Sequence, residues 1–571
     1  MRTFAAIAFW IALASLAAAD ARADWQVWTT TQTVRVCRDA PAGAGVVVHI
    51  AAARNEWRSF QVLVRSDEAV QGVTIEATNL AGPGGACLGE PDTRLYRQHQ
   101  MELTQPSYRN ADFKPGWYPD GLIPFRHPLS RTPLQGGRLT AAPFDLPANE
   151  THGFWIDLYV PPDARPGEYR GTYRVRAATK EVNLPVTVTV WDFALPATPT
   201  LKTEFGSPVP RMRSYYRDRA KAGKDTEPSD WAAVEAQVNR LLADHRLNAV
   251  PPSEMLTPKA QDDGSYRLAP QEVRDLGAFI DQYHVNAVPV PNPMHFIKDP
   301  VADRPKLRAW LKAWDAAATD LHRPGVTYYI YLLDEPNDEK AYAMVRQWGA
   351  AIREAKSVVK VLVTEQPAPQ DAKWGDLYGA VDIWVPLFPL FTPDAAAARQ
   401  ALGEEIWTYT ALCQQKPTPW WEIDFPLLNY RVPAWIAWRF RERGLLYWGG
   451  LSHWKDVDDP WTDPKTYGKW KNGEGWNGEG VLVYPGRAVG YDGIAPSLRL
   501  KALRDSIEDY EYMAILERAG LADEAQKIVE PLAASWFQWE KDPAAYDKAR
   551  ARLAELIVTK KAVGRGGPRL P

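Results

Sequence analysis

The period of hydrophobic and polar positions changes once along this chain. Between residues 24 and 197 the apolar positions fall in short runs, at 25–36, 46–52, 59–64, 73–77, 155–160, 168–175 and 182–191. Turn clusters such as Pro161-Pro162-Asp163 and Arg165-Pro166-Gly167 punctuate them, and no amphipathic helix intervenes. Short alternating runs bounded by turn residues predict strands, and this many of them predict an all-β sandwich. Leu195-Pro196-Ala197-Thr198-Pro199 then reads as a stiff, extended linker.

Beyond the linker, helical periodicity alternates with short β-rich runs. Strands are predicted at 203–205, 247–250, 287–290, 328–333, 359–363, 381–385, 406–409 and 445–448. Helices are predicted at 231–243, 271–282, 307–321, 337–355 with Asn337 as cap, and 434–442. Eight strands alternating with helices predict a closed (β/α)8 TIM-type barrel. An open doubly wound sheet is the competitor, but no Gly-rich phosphate loop follows the first strand. Residues 451–497 break the pattern with Trp, Gly, Asp and Pro, including Trp461, Trp470, Trp476 and Asn472-Gly473. They form either a long loop walling a site or a separate structural element. Helical patterning returns at 498–518 and 522–558. The expected organisation is a sandwich over 24–197, a barrel over 198–520 and a short helical C-terminal extension over 521–571.

Residues 1–23 stand apart. Arg2, an apolar run from Phe4 to Ala19 and the small-x-small Ala21-Arg22-Ala23 read as a secretory signal, with Asp24 as the mature start. The expected location is outside the cytoplasm, periplasmic or secreted. The apolar run is shorter than a bilayer requires, and no later segment is long and apolar enough to span. The chain has 571 residues, 46% hydrophobic and 24% charged, with a formal charge of −3. The length calls for two or three domains, and the charge argues against a general binder of nucleic acid or anionic membrane. Of the three cysteines, an oxidising compartment would allow Cys37 and Cys87 to pair, leaving Cys413 as a small buried apolar residue. No Cys or His spacing resembles a metal site, and no cofactor is called for.

The sharpest chemical signal is the run Val326-Thr-Tyr-Tyr-Ile-Tyr-Leu-Leu-Asp334-Glu335-Pro336. Pro336 lacks the N–H that a ladder needs, so the strand ends there, and Glu335 before it is biased towards an extended conformation. Two adjacent carboxylates at the C-terminal mouth of a barrel strand, the fourth on this count, stand where barrel active sites sit. Paired carboxylates perform acid–base work on glycosidic bonds. An ordinary surface turn is the bland alternative.

Other candidates fall at strand ends. Glu204, Glu365, Glu422 and Asp424 could line a sugar pocket. His295 and His453 follow the third and eighth strands, though a lone His more often has a structural part. Trp384, Tyr409 and Trp448 could present rings or a hydroxyl to a sugar, or fill the barrel's top layer.

Three stretches resemble glycoside hydrolase family 123, whose characterised members are exo-β-N-acetylgalactosaminidases. They are Ala53-Arg-Asn-Glu-Trp-Arg-Ser-Phe-Gln61, Asp334-Glu335-Pro336, and a C-terminal signature. The last comprises Gly478-Glu479-Gly480, Tyr484-Pro485-Gly486, and Pro496-Ser-Leu-Arg499-Leu through Arg504-Asp-Ser-Ile-Glu508-Asp509-Tyr-Glu-Tyr512. The resemblance implies a sandwich plus barrel and a substrate-assisted retaining mechanism. In it the sugar's 2-acetamido oxygen attacks the anomeric carbon, Glu335 is the acid/base, and Asp334 orients the acetamido group. The implied partner is a glycan or glycoconjugate. A double-displacement glycosidase with Glu335 as acid/base and Glu422 as nucleophile is the alternative enzyme. A non-catalytic carbohydrate-binding barrel is the alternative without chemistry. Arg499, Glu508 and Asp509 are expected to form ion pairs that tie the barrel shut.

Overall fold

The computed structural model describes residues 25–178, 180–412, 417–449, 451–468 and 475–565. The signal segment with Asp24, and also Cys413, Trp470 and Asn472-Gly473, lie outside the described residues.

Two sheets form the N-terminal sandwich. The first runs, in spatial order, Gln26–Thr31, Glu56–Arg65, His152–Val160, Thr93–Leu103 and Gly116–Pro124, all antiparallel. The second is built around Val48–Arg54, Lys180–Ala194, Gly167–Ala177, Val70–Glu76 and Phe144–Leu146. Period two decides which side chains meet. Phe154, Ile156 and Leu158 point between the sheets with Val62, Val73, Tyr173 and Val188. Trp155 and Asp157, one residue out of phase, face the other way and are also buried. The first sheet therefore has two covered faces, the second covered by the barrel half of the chain.

The strands at 93–103 and 116–124 have no counterpart among the predicted ones. The first carries Arg97, Gln98, His99 and Gln100 where alternation would want apolar residues. Partners from distant chain satisfy them: Gln98 Nε2 donates to Gln61 Oε1 at 2.8 Å and Gln100 Nε2 to the Thr151 carbonyl at 2.7 Å. Cys37 and Cys87 do not pair; both are free thiols. Cys87 lies in a two-stranded edge of the second sheet, whereas Cys37 lies in a turn whose next residue, Arg38, bonds to Trp117 in the first.

Seven parallel strands make a nearly closed barrel: Lys202–Glu204, Gly444–Tyr447, Glu405–Thr410, Ile383–Trp384, Lys360–Val363, Thr327–Leu333 and Ala287–Pro289. The predicted strand at 247–250 forms no ladder. Side-chain bonds occupy that gap instead. Asn248 N donates to Thr203 Oγ1 (2.8 Å), its Nδ2 to the Thr203 carbonyl (2.8 Å), and Asn286 N donates to Asn248 Oδ1 (3.0 Å). Inside lie Tyr329, Leu362, Ile383, Val385, Trp407, Tyr409 and Leu446. The helix after Asp334-Glu335-Pro336, Glu339–Glu354, is capped by Asp338 rather than Asn337: Asp338 Oδ1 accepts from Ala341 N at 2.7 Å. Asn337 is instead held by Gln370.

The long Leu498–Arg518 helix, buried over nearly its whole length, lies between sandwich and barrel. Arg499 pairs with Asp120 of the first sheet at 2.9 Å. Lys501 and Arg504 reach Asp157 at 2.6 and 3.0 Å. Glu508 accepts from Trp57 N at 3.1 Å and faces Arg246 at 3.6 Å. Asp509 binds Arg431 at 2.7 Å, and also Arg550 from the Pro543–Arg565 helix. Arg499 and Glu508 thus fasten the barrel to the sandwich, and Asp509 fastens it to the C-terminal helix, rather than closing the barrel on itself. Glu56 joins the same seam, accepting from Tyr512 OH at 2.6 Å. No described helix is long and apolar enough to cross a membrane.

Candidate active site

The Thr327–Leu333 strand alternates Tyr329 and Tyr331 into the barrel with Tyr328, Ile330 and Leu332 out against the helices. Its pairing with Lys360–Val363 slips between Tyr331 and Leu333, the kind of irregularity that re-aims side chains beside a site. The strand then ends and both Asp334 and Glu335 are exposed at its mouth. Glu335 is not extended. Its φ is +42°, in the left-handed region. Such a conformation costs a non-glycine residue about 1–3 kcal/mol and persists only where neighbours enforce it. Here two bonds do: Glu335 N donates to Thr364 Oγ1 at 2.8 Å, and Tyr409 OH to Glu335 Oε1 at 2.5 Å. The pre-proline rule disfavours right-handed helix at Glu335, and the tertiary bonds select the left-handed turn over the extended form.

Thr364 follows its own barrel strand and serves both residues, accepting from the Glu335 backbone N–H. Its hydroxyl also donates to Asp334 Oδ1 at 3.0 Å, and Tyr331 OH donates to the same oxygen at 2.8 Å. Each carboxylate is thus anchored through one oxygen, and both side chains are otherwise exposed. Burial and the adjacent carboxylates push the Tyr331 and Tyr409 hydroxyls well above the ordinary phenol value, so both stay proton donors.

Two further acids lie behind this pair. Glu204 accepts from Tyr329 OH and from Gly206 N (3.0 Å), and burial raises its pKa to about 7. Glu365 is also raised to about 7, chiefly by burial, with the Glu335 charge contributing. Gln370 ties Glu365 Oε2 (2.6 Å) to Asn337 Oδ1 (3.0 Å), fixing the chain just beyond the exposed pair.

Trp448 stands half-buried just past the Gly444–Tyr447 strand, whose Leu446 is level with Glu204 on one side and Tyr409 on the other. Its Nε1 donates to Glu479 Oε1 at 2.6 Å. Glu479 shares a hydrogen bond with Glu422. Burial raises both carboxyls, Glu479 to about 7 and Glu422 further, and Glu479 adds to the rise at Glu422. Glu422 is therefore half of a buried acid pair, its burial favouring the neutral form, and not an open carboxylate. Asp424 accepts from Ser107 N at 2.8 Å and Asn110 Nδ2 at 3.0 Å, a tie to the sandwich. His453 stacks on Tyr467 with ring centroids 4.4 Å apart, and its Nε2 lies 2.9 Å from Asp456; burial lowers its pKa.

Asp334, Glu335, Tyr409 and Glu204 are therefore gathered at one mouth, with Trp448 and His453 on its flank. Trp384 is not among them. Alternation turns Ile383 and Val385 inward and Trp384 outward, where it is fully buried and its indole donates to Glu404 at 2.7 Å. His295 lies exposed in the turn after Ala287–Pro289; the supporting residue there is Asn292, whose amide holds the Tyr331 and Leu332 carbonyls at 3.0 and 2.8 Å. Sequence reasoning missed Tyr331 and Thr364, although inward parity with Tyr329 and position just after a strand mark them. Among the described residues no group of three or more His, Cys, Asp or Glu is arranged to hold a metal ion.

Comparison with known proteins bears on this geometry. The family model described as the glycoside hydrolase 123 catalytic domain matches residues 308–516, and the glycoside hydrolase 123 N-terminal domain matches residues 38–177. No curated protein matches. Among solved structures, a family 123 glycoside hydrolase from Clostridium perfringens, studied for glycolipid glycan hydrolysis, aligns over 95% of this chain and 98% of its own, at 12% identity and a TM-score of 0.62. That establishes a common fold. A glucosidase from Croceicoccus marinus (11% identity, 55% of this chain and 68% of that one, TM-score 0.30) is too distant in shape to carry an argument. The two family matches cover the sandwich and the carboxylate mouth of the barrel, and the chain belongs to glycoside hydrolase family 123.

Proposed function

We propose that this glycoside hydrolase removes a terminal β-linked N-acetylhexosamine, N-acetylgalactosamine first, by substrate-assisted catalysis with retention. The observation that carries the reading is the exposed Asp334–Glu335 pair, two adjacent carboxylates each anchored by one oxygen and otherwise exposed. The 2-acetamido oxygen attacks the anomeric carbon as the bond to the leaving oxygen breaks, and Glu335 gives that oxygen its proton. Asp334 accepts the acetamido N–H and balances the positive charge of the oxazolinium. Glu335, now a carboxylate, takes a proton from the water that opens the ring. A nucleophile belonging to the substrate needs no second protein carboxylate across the sugar. The burial of Glu422 beside a second carboxyl, Glu479, weighs against the double-displacement alternative.

The same reading takes 247–250 as the eighth stave of a (β/α)8 barrel, bridged by Asn248, and residues 1–23 as an export signal that delivers the enzyme to the periplasm or medium.

Aryl β-glycosides with and without a 2-acetamido group test the mechanism. Turnover is expected only with the acetamido group, together with strong inhibition by a thiazoline mimic of the bicyclic intermediate. Equal turnover of 2-hydroxy sugars, with covalent trapping of Glu422 by a 2-fluoro glycoside, would overturn it.

A further inference from the structure

An arginine at the flank of this mouth is paired with no acid among the described residues. Arg211 lies in the first turn of the Val209–Lys221 helix, a turn with no acidic residue. Its guanidinium lies 4.9 Å over the Trp448 ring and donates to the Gly449 carbonyl. Gly449 is packed against Gly206, where an added Cβ would come within 3.2 Å of the Gly449 Cα. Gly206 N in turn holds Glu204 in the barrel. Arg211 is therefore one loop away from the barrel's acid cluster, on the Trp448 side.

Among the described residues no carboxylate pairs with Arg211, and its one hydrogen bond uses one of five N–H donors. Half-buried Arg97 and Arg346 likewise bond only to carbonyls, but neither borders the barrel mouth. The buried arginines Arg431, Arg499 and Arg504 each bind an aspartate. Desolvated cations ordinarily need such a partner, and burial lowers the Arg211 pKa. The side chain borders a cleft of about 610 Å³, shared with Tyr215, Trp448, His453, Lys455 and Tyr467. Lys455, exposed, lines the same cleft and pairs with no carboxylate among the described residues. Asp458 in the same wall is already bound to Lys224 at 2.7 Å. The positive end of the 209–221 helix adds to the field.

We propose that this cleft is a subsite for an anionic substituent of the glycan, a sulfate ester or a carboxylate, with Arg211 as the residue that sets the specificity. The guanidinium, 4.9 Å over the Trp448 ring, lines the cleft with N–H groups to spare, and a guanidinium fork matches two oxygens of either anion. The proposal rests on the hydrolytic reading of the Asp334–Glu335 mouth.

Two substrate pairs separate the sources of the anion. One is an aryl β-N-acetylhexosaminide with and without a ring sulfate. The other is a disaccharide whose second sugar is a uronic acid or its neutral counterpart. The anionic member of at least one pair is expected to have roughly 10–100-fold higher kcat/KM, mostly through KM and weakening with salt. Arg211→Gln should cut the anionic-to-neutral ratio by about tenfold or more, Arg211→Lys by less, and Lys455→Gln by about two- to threefold. Equal turnover within both pairs by wild type, or a preference that survives Arg211→Gln, overturns the proposal. Failure of the hydrolytic reading would look different, because no glycoside would turn over. Even then, inorganic sulfate should raise the melting temperature of wild type more than that of Arg211→Gln, and equal shifts would remove the subsite.

Discussion

The mouth of the barrel and the seam between barrel and sandwich use the same acidic side chains to opposite ends. At the seam, Asp157 is buried and saturated: Arg504, Lys501, Ser59 and Trp155 all bind it. Burial alone would raise its pKa, but Arg504 and Lys501 hold it well below the ordinary value. At the mouth, Asp334 and Glu335 are exposed, meet only hydroxyls, and sit on a left-handed turn. Among the described residues no cation pairs with either. A carboxylate with every lone pair spent on fixed cations is structure. One held by a single oxygen, and otherwise exposed, is free to exchange protons with a ligand. The number of unspent lone pairs separates the two regions better than burial or charge does.

The largest expected effect is on the mouth. Glu335→Gln keeps the Tyr409 contact but removes the proton, so turnover of substrates with poor leaving groups should fall by about 10²–10⁴. Activated aryl glycosides, which need little acid help, should lose less. Steady-state kinetics on both substrate types would check this, and near-wild-type cleavage of a natural glycan would remove Glu335 from the mechanism. Asp157→Asn should do the reverse. It strands Arg504 and Lys501 in a buried site, at a cost of about 3–5 kcal/mol in denaturant unfolding, while kcat of the folded enzyme stays within about twofold. A variant that lost rate but not stability would break the distinction between the regions. Asp334→Asn should lose about 10²–10³ in kcat with less than about 0.5 kcal/mol change in stability.

Much of this contrast was readable from the chain. The Asp-Glu-Pro stop at a β-rich run located the mouth, and the period change located the two architectures. Alternation carried further than it was taken: once Tyr409 and Ile383 point inward, Trp384 must point out. The remainder depends on partners distant in sequence. Glu335 adopts a left-handed turn because Thr364 and Tyr409 bind it, and nothing local to Pro336 encodes that. The polar strand at 93–103 is stable because Gln61 and Thr151 complete it. The pairing of Asp120 with Arg499 spans most of the chain. Arg211 is not legible as a candidate, because its interest lies in having no carboxylate paired with it among the described residues.

Glu442 sharpens the comparison with the smallest of the expected effects. It shares the burial of the seam, being fully enclosed, but has none of the seam's cations. Thr408 Oγ1 donates to one oxygen at 2.7 Å and Trp536 Nε1 to the other at 3.0 Å. Burial therefore wins, and its pKa rises from 4.5 to about 8. The sign follows from linkage. Between these values the unfolded chain gives up a proton that the folded chain keeps, so stability falls as pH rises. The contribution is full below about 4.5, declines by about 1.4 kcal/mol per pH unit, and is gone above about 8. Glu442→Gln replaces the protonated acid by a neutral isostere. Its stability near pH 5 should match wild type within about 1 kcal/mol, and between pH 5 and 8 its unfolding free energy should fall less steeply, so that the variant is the more stable protein at pH 8. Asp157→Asn should give no such crossover, because Asp157 titrates below its ordinary value and contributes evenly over that range. Denaturant unfolding at pH 5, 6.5 and 8 reads both slopes. Parallel slopes for wild type and Glu442→Gln would mean that Glu442 is ionised in the fold, and that burial without a cation does not suffice to hold a proton here.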